Sequence, residues 1–216
     1  MSIRAVFFDM DGTLVDSEAT HHHALSDVMA ELGLAKPEGF DEAMTGQSMQ
    51  ALYDALVAQA GLRLSYAEMA AAKYRAFLAR IHELHWRPGA RAAWDLAQQG
   101  GRGVAVVTNS DRMLLGASLD VLGLTRPDLV SVSRNDVRQG KPQPEPYLRA
   151  AWLLDVPPAQ CLVVEDSLAG SRAALAAGMQ VIGWPEPARP DMRFDAGVHT
   201  APPEDVTAVM ARLLGA

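Results

Sequence analysis

The chain has 216 residues, 49% of them hydrophobic and 21% charged, with a formal net charge of −7. That balance is ordinary for a folded globular protein and excludes a largely disordered chain, while the length suits one core domain with a smaller accessory one. An acidic surplus supplies no positive field to hold a polyanion, so no nucleic-acid partner is expected.

The first predicted element is the apolar run Ala5–Phe8, which breaks at Asp9. The break comes too early for a signal peptide or a membrane helix, so no membrane partner and a cytoplasmic location are expected. Further short apolar runs stand at Val104–Val107, Leu129–Val132, Cys161–Val164 and Val181–Gly183, each bounded by polar or turn-forming residues, and read as buried strands. Helical stretches fall between the later runs: Asp111–Leu122 closed by Gly123, Pro146–Leu154, and Leu168–Ala177 closed by Gly178. Strands alternating with helices predict an α/β fold, a parallel sheet covered on both faces. The single cysteine, Cys161, lies inside one of the runs, where a buried inert thiol is expected.

The alternation fails between the first two runs. From about Ser17 to Trp86 no convincing strand is legible, and the interval reads as an inserted helical domain. It contains a helix from Glu18 to Leu32 ending at Gly33, a second after Ser48 running to Ala60, and a third opening at Ser65, where Ser65 and Glu68 have the spacing of a capping box. Leu52, Leu56, Met69, Tyr74, Phe77, Leu78 and Ile81 recur at helical spacing and predict a small bundle core. Trp86-Arg87-Pro88-Gly89 carries turn residues and marks the return to the sheet.

Polar clusters follow the strands: Asp9 and Asp11 after the first run, Thr108-Asn109-Ser110 after the second, and Glu165-Asp166-Ser167 after Cys161–Val164. Parallel strands end on one edge, and ligands of open α/β sheets bind beyond that edge, so the clusters are expected to converge. Paired carboxylates at a strand end call for a compensating cation, and hard oxygen ligands suit Mg²⁺. Taken alone, Asp11-Gly12 also reads as an Asx turn, and Lys141 in Gly140-Lys141-Pro142 as a solvated lysine.

Asp9-Met10-Asp11-Gly12-Thr13, Val107-Thr108-Asn109, Gly140-Lys141-Pro142 and Val164-Glu165-Asp166-Ser167 together resemble the four ordered motifs of the haloacid dehalogenase superfamily, in its phosphatase-like branch with an α-helical cap. The resemblance implies a Rossmann-like core of residues 1–16 and 87–216 and a cap of residues 17–86. It implies that Asp9 attacks phosphorus to form an aspartyl-phosphate, and that Asp11 serves as acid and then base. Thr108 and Lys141 would bind the transferring phosphoryl group and Asn109 would orient the site. Mg²⁺ would sit on Asp9, Asp11 and Asp166, with Glu165 a further ligand or a neighbour of one. Gly170 and Ser171 read as packing residues of the next helix. Asp11 and its glycine set the chain apart from the dehalogenases.

The substrate implied is a small phosphorylated metabolite, a sugar phosphate or a phosphoglycolate-like compound. His21 in the first cap helix is a candidate partner of Asp11, and also reads as a surface histidine. Gly46-Gln47-Ser48-Met49 resembles the cap's specificity loop, with Gln47 and Ser48 as candidate substrate contacts or Ser48 as a helix cap. A β-phosphoglucomutase-like activity is the alternative, but Met49 stands where the mutase carries an arginine for a second phosphate; Lys73 or Arg75 would have to replace it. An idle binding relative would show damaged motifs, and none is damaged. Oligomeric state is not readable.

Overall fold

The computed structural model describes residues 2–44 and 49–215. It divides into two compact units, Met1–Asp16 with His85–Ala216, and Ser17–Leu84.

In the first unit, strands β1 (Ala5–Phe8), β4 (Gly103–Val107), β5 (Val130–Val132), β6 (Cys161–Glu165), β7 (Gln180–Gly183) and β8 (Val198–Thr200) form one sheet of order β5-β4-β1-β6-β7-β8, all neighbours parallel. The parallel sheet is therefore as expected. Strand β8 was not: Val198 is partly buried, His199 and Thr200 are exposed and the three carry no apolar run, so pairing to β7 alone defines them. Phe8 is level with Val106 of β4 and with Val164 of β6, so the chain leaves these three central strands at one edge.

A separate antiparallel pair joins β2 (Val15–Asp16) to β3 (His85–Trp86), with Val15 opposite Trp86 and Asp16 opposite His85. This corrects the reading of the interval up to Trp86 as free of strands. Two residues are too few to show a period, and the pair exists because the ends of the insertion meet.

The inserted unit contains α1 (Glu18–Glu31), α2 (Phe40–Met44), α3 (Met49–Ala60) and α4 (Tyr66–Ala79). Leu25, Val28 and Met29 of α1 pack with Leu52 and Leu56 of α3 and Met69 of α4 in one apolar core. The capping box starts α4 as expected: Ser65 N donates to Glu68 at 2.8 Å and Glu68 N donates to Ser65 Oγ at 3.3 Å. Residues 45–48 lie outside the described residues, and Gln47 and Ser48 with them.

The first unit completes itself with α5 (Ala90–Gln98), α6 (Arg112–Val121), α7 (Glu145–Leu153), α8 (Leu168–Ala176) and α9 (Thr207–Leu214). Alternation along β1 sends Phe7 to one face, stacked 6.5 Å from Tyr147 of α7, and Phe8 to the other, 5.4 Å from Trp94 of α5. Both faces of the sheet are thus covered, which is why all four residues of β1 are buried. Among the described residues no helix is long and apolar enough to cross a membrane.

Candidate active site

The chain leaves β1 through a tight loop in which Met10 O accepts from the amides of Thr13, Leu14 and Val15, at 3.2, 2.9 and 3.0 Å. Gly12 makes this turn possible with φ at 72°, and the space beside it matters as much. A Cβ there would run into the carboxylate of Glu186 and come within 2.7 Å of Asp166 Oδ2.

The loop aims Asp9 at Lys141, which approaches from the segment after β5. Lys141 Nζ donates to Asp9 Oδ1 at 2.5 Å, to Glu165 Oε1 at 2.5 Å and to Val107 O at 2.8 Å, so all three of its protons are directed. The ammonium is buried, and burial by itself would lower its pKa; the charges of Asp9 and Glu165 outweigh that and hold it above the usual lysine range. A solvated lysine is excluded. The backbone of the same residue is gripped by Asn109, whose Oδ1 accepts from Lys141 N at 2.8 Å while its Nδ2 donates to Lys141 O at 3.0 Å. Asn109 therefore aligns the lysine, with both ends of its amide occupied.

Glu165 is an acceptor with no capacity left unengaged. Its Oε1 takes Lys141 and the Tyr147 hydroxyl at 2.6 Å, and its Oε2 takes Ser167 Oγ at 2.9 Å and Ser167 N at 3.3 Å. Ser167 also caps α8, its Oγ accepting from Gly170 N at 3.0 Å. A Cβ at Gly170 would overlap the Glu165 carboxylate. The glycine thus serves the site as well as the helix, which sequence reasoning missed because an isolated glycine in a helix carries no sign of its neighbour.

Asp11 accepts from Ser110 Oγ at 2.6 Å, and Ser110 N donates to the buried Thr108 Oγ1 at 2.9 Å. Asp9, Lys141, Glu165 and Asp166 thus form one group, and Asp11 and Thr108 a second joined through Ser110, both at the edge formed by β1, β4 and β6. His21 belongs to the inserted unit, where its ring stacks on Phe77 at 4.4 Å.

Asp9, Glu165 and Asp166 each direct a carboxylate oxygen to within 4.8 Å of the others. Counted as ionised, the four carboxylates of Asp9, Glu165, Asp166 and Glu186 exceed the two cations that touch them, Lys141 and Arg189, by two charges, a deficit that a divalent cation would cancel. Burial pushes Asp9 up to about 8 in spite of Lys141, and burial followed by the Asp9 charge raises Asp166 well above the carboxylate range. The donor set is all oxygen and hard, which fits Mg²⁺. Asp9 and Asp166 could hold it with less disruption than Glu165, which accepts four hydrogen bonds where Asp9 accepts from Lys141 and Asp166 accepts two at 3.3 Å, from Thr13 Oγ1 and Arg189.

Sequence reasoning also missed Arg87. This buried guanidinium donates to Gly12 O at 2.6 Å, Trp184 O at 3.0 Å and Pro185 O at 2.6 Å, and lies 3.6 Å from the centre of the Trp184 ring. It fastens the loop after β1 to the segment after β7. Within a turn-forming tetrapeptide it gave no hint of this.

Residues 3–178 match the family model of the haloacid dehalogenase-like hydrolases. Hexitol phosphatase A of Escherichia coli (strain K12) is 33% identical over 195 residues, which cover 87% of this chain and 86% of that protein. The 6-phosphogluconate phosphatase of the same strain is 33% identical over 184 residues, covering 83% and 81%. Among solved structures, CbbY from Rhodobacter sphaeroides in complex with phosphate matches with a TM-score of 0.81 at 29% identity, covering 92% of each chain.

Proposed function

The chain belongs to the haloacid dehalogenase-like hydrolases, and from that premise we propose that it is a Mg²⁺-dependent phosphatase acting on a small phosphorylated metabolite. The observation that carries the reading is Lys141 Nζ, held 2.5 Å from Asp9 and 2.5 Å from Glu165. A lysine so fixed leaves Asp9 oriented as a nucleophile and places positive charge where phosphoryl oxygens would gather.

Asp9 attacks phosphorus, the bond to the leaving oxygen breaks, and Asp11 gives that oxygen its proton. Asp11 then takes a proton from the water that attacks the aspartyl-phosphate, releasing phosphate and restoring Asp9. Ser110, donating to Asp11 at 2.6 Å, holds the carboxyl in place for both transfers. Thr108 and Lys141 receive the phosphoryl oxygens. Mg²⁺ on Asp9, Asp166 and the Asp11 carbonyl would supply further positive charge to those oxygens when bound. Glu165 positions Lys141 and is not assigned to the ion.

Residues 17–86 serve in this reading as a cap that selects the substrate, with residues 1–16 and 87–216 as the core. A sugar phosphate is the favoured substrate class, supported by relatives named as hexitol and 6-phosphogluconate phosphatases. Met49 in place of a phosphate-binding arginine speaks against the mutase.

The test is Mg²⁺-dependent phosphate release from a panel of sugar phosphates and phosphoglycolate, including β-glucose 1-phosphate, by wild type and Asp9→Asn. Release that chelator and Asp9→Asn both abolish supports the reading. Glucose 6-phosphate formed without phosphate release would replace it with the mutase. No turnover by a folded, Mg²⁺-binding protein would leave an idle relative.

A further inference from the structure

The segment Trp184-Pro185-Glu186-Pro187-Ala188-Arg189-Pro190 follows β7 and was not singled out by its sequence. Trp184 N donates to Glu165 O at 2.6 Å, which lays the segment beside Asp166, and Arg87 clamps its first two carbonyls. Three prolines limit its backbone, and the turn closes with Arg189 N donating to Glu186 O at 2.9 Å. The result places a second pair of charged groups at the candidate metal site. Arg189 Nη2 stands 3.3 Å from Asp166 Oδ2 and 3.1 Å from Glu186 Oε2, one nitrogen between two buried carboxylates.

This bridge is built and yet loosely held. It needs Gly12, since any side chain there would occupy the space that Asp166 and Glu186 share. Arg189 Nε is buried with no hydrogen-bond partner among the described residues, so the guanidinium is not fully satisfied where it lies. Its side chain is 26% exposed, which leaves a path outward, whereas Lys141 at 3% has none.

We propose that Arg189 is a displaceable counter-ion of the metal site: it occupies Asp166 in the ion-free protein and withdraws onto Glu186 when a divalent cation binds. The inference rests on the assignment of Asp166 to the ion. A guanidinium paired with Asp166 already neutralises that carboxylate and repels a second cation on either of its oxygens, so Arg189 weakens divalent binding while stabilising the ion-free protein. Glu186 has the opposite effect, because it offers the displaced guanidinium a partner and adds its own negative field.

The test is calorimetric titration of chelator-stripped protein with Mg²⁺, a readout independent of turnover. Arg189→Gln is expected to bind Mg²⁺ roughly 1.5- to fivefold more tightly than wild type, the range of a partly exposed ion pair expressed as an affinity ratio. Arg189→Lys is expected to fall between them, and Glu186→Gln to bind more weakly than wild type. Arg189→Gln is also expected to melt lower than wild type without Mg²⁺ and to gain more on its addition. Unchanged or weaker Mg²⁺ binding by Arg189→Gln would overturn the inference. Asp166→Asn distinguishes the two levels: if it binds Mg²⁺ as wild type does, the assignment of Asp166 fails and the inference with it. Loss of binding in Asp166→Asn with no change in Arg189→Gln sinks the counter-ion alone.

Discussion

Two glycines in helices should answer the same substitution in opposite directions. At Gly116 of α6 an added Cβ meets nothing within 4 Å, so Gly116→Ala should gain the helix preference of alanine, about 0.5–1 kcal/mol. At Gly170 of α8 the Cβ would overlap the Glu165 carboxylate, which must then move off Lys141, Tyr147 or Ser167. Removing one partner of a buried ion pair costs about 3–5 kcal/mol. Displacement that leaves part of the bonding intact, offset by the same helix gain, gives a net loss of about 1–3 kcal/mol. For a chain of this size that lowers the melting temperature by about 2–12 °C, while Gly116→Ala raises it by about 1–4 °C. Urea unfolding followed by tryptophan fluorescence reports on the relevant unit, since Trp86, Trp94, Trp152 and Trp184 all lie within it. The midpoints should move apart with the slope unchanged. If Gly170→Ala proves as stable as Gly116→Ala, Glu165 is not held against that glycine and the account of Lys141 is wrong.

The buried Tyr147 hydroxyl donates to Glu165, so Tyr147→Phe should lower stability by about 1–3 kcal/mol without loss of ring packing against Phe7; a neutral substitution in the same urea assay would contradict the bond. Asp9 is raised by burial to about 8 in the ion-free protein, above its unfolded value, so the folded state holds the extra proton. Its contribution to stability is then fully present below about pH 4 and is lost as pH rises towards 8. Asp9→Asn mimics the protonated form and should flatten that slope in chelator-treated samples; an unchanged slope would assign it elsewhere. Cys161 is buried and its thiol is pushed up to about 12 by burial, so a thiol reagent at pH 8 should find no reactive group until the chain is unfolded, when one should titrate.

Much of the site was legible because its residue types are chemically conspicuous at strand ends. Aspartates after β1 and the lysine between glycine and proline announce themselves, and a parallel sheet brings strand ends together without further information. Glu165 was harder, since spacing does not say where its oxygens point. It shares the parity of Cys161 and Val163 along β6, and those side chains join the core that includes Tyr147. That parity directs Glu165 toward Lys141 and Tyr147 and leaves the adjacent Asp166 better suited to the ion. Arg87, Glu186 and Arg189 were not legible at all. Each works through backbone carbonyls or a neighbouring carboxylate from a distant segment, and such contacts leave no local pattern. Strand β8 was missed for the related reason that pairing, and not composition, makes it a strand.

The short pairing of β2 with β3 has a consequence for exchange of parts. Val15 opposite Trp86 and Asp16 opposite His85 bring the entry and exit of a long excursion side by side, as in the stem of a hairpin. To the sheet, everything between the two strands is the tip of that hairpin. The tip can be lengthened, shortened or replaced while β1 and α5 keep their places, so long as the stem is kept. A chimera carrying a foreign insert should therefore be joined at this stem and nowhere inside it.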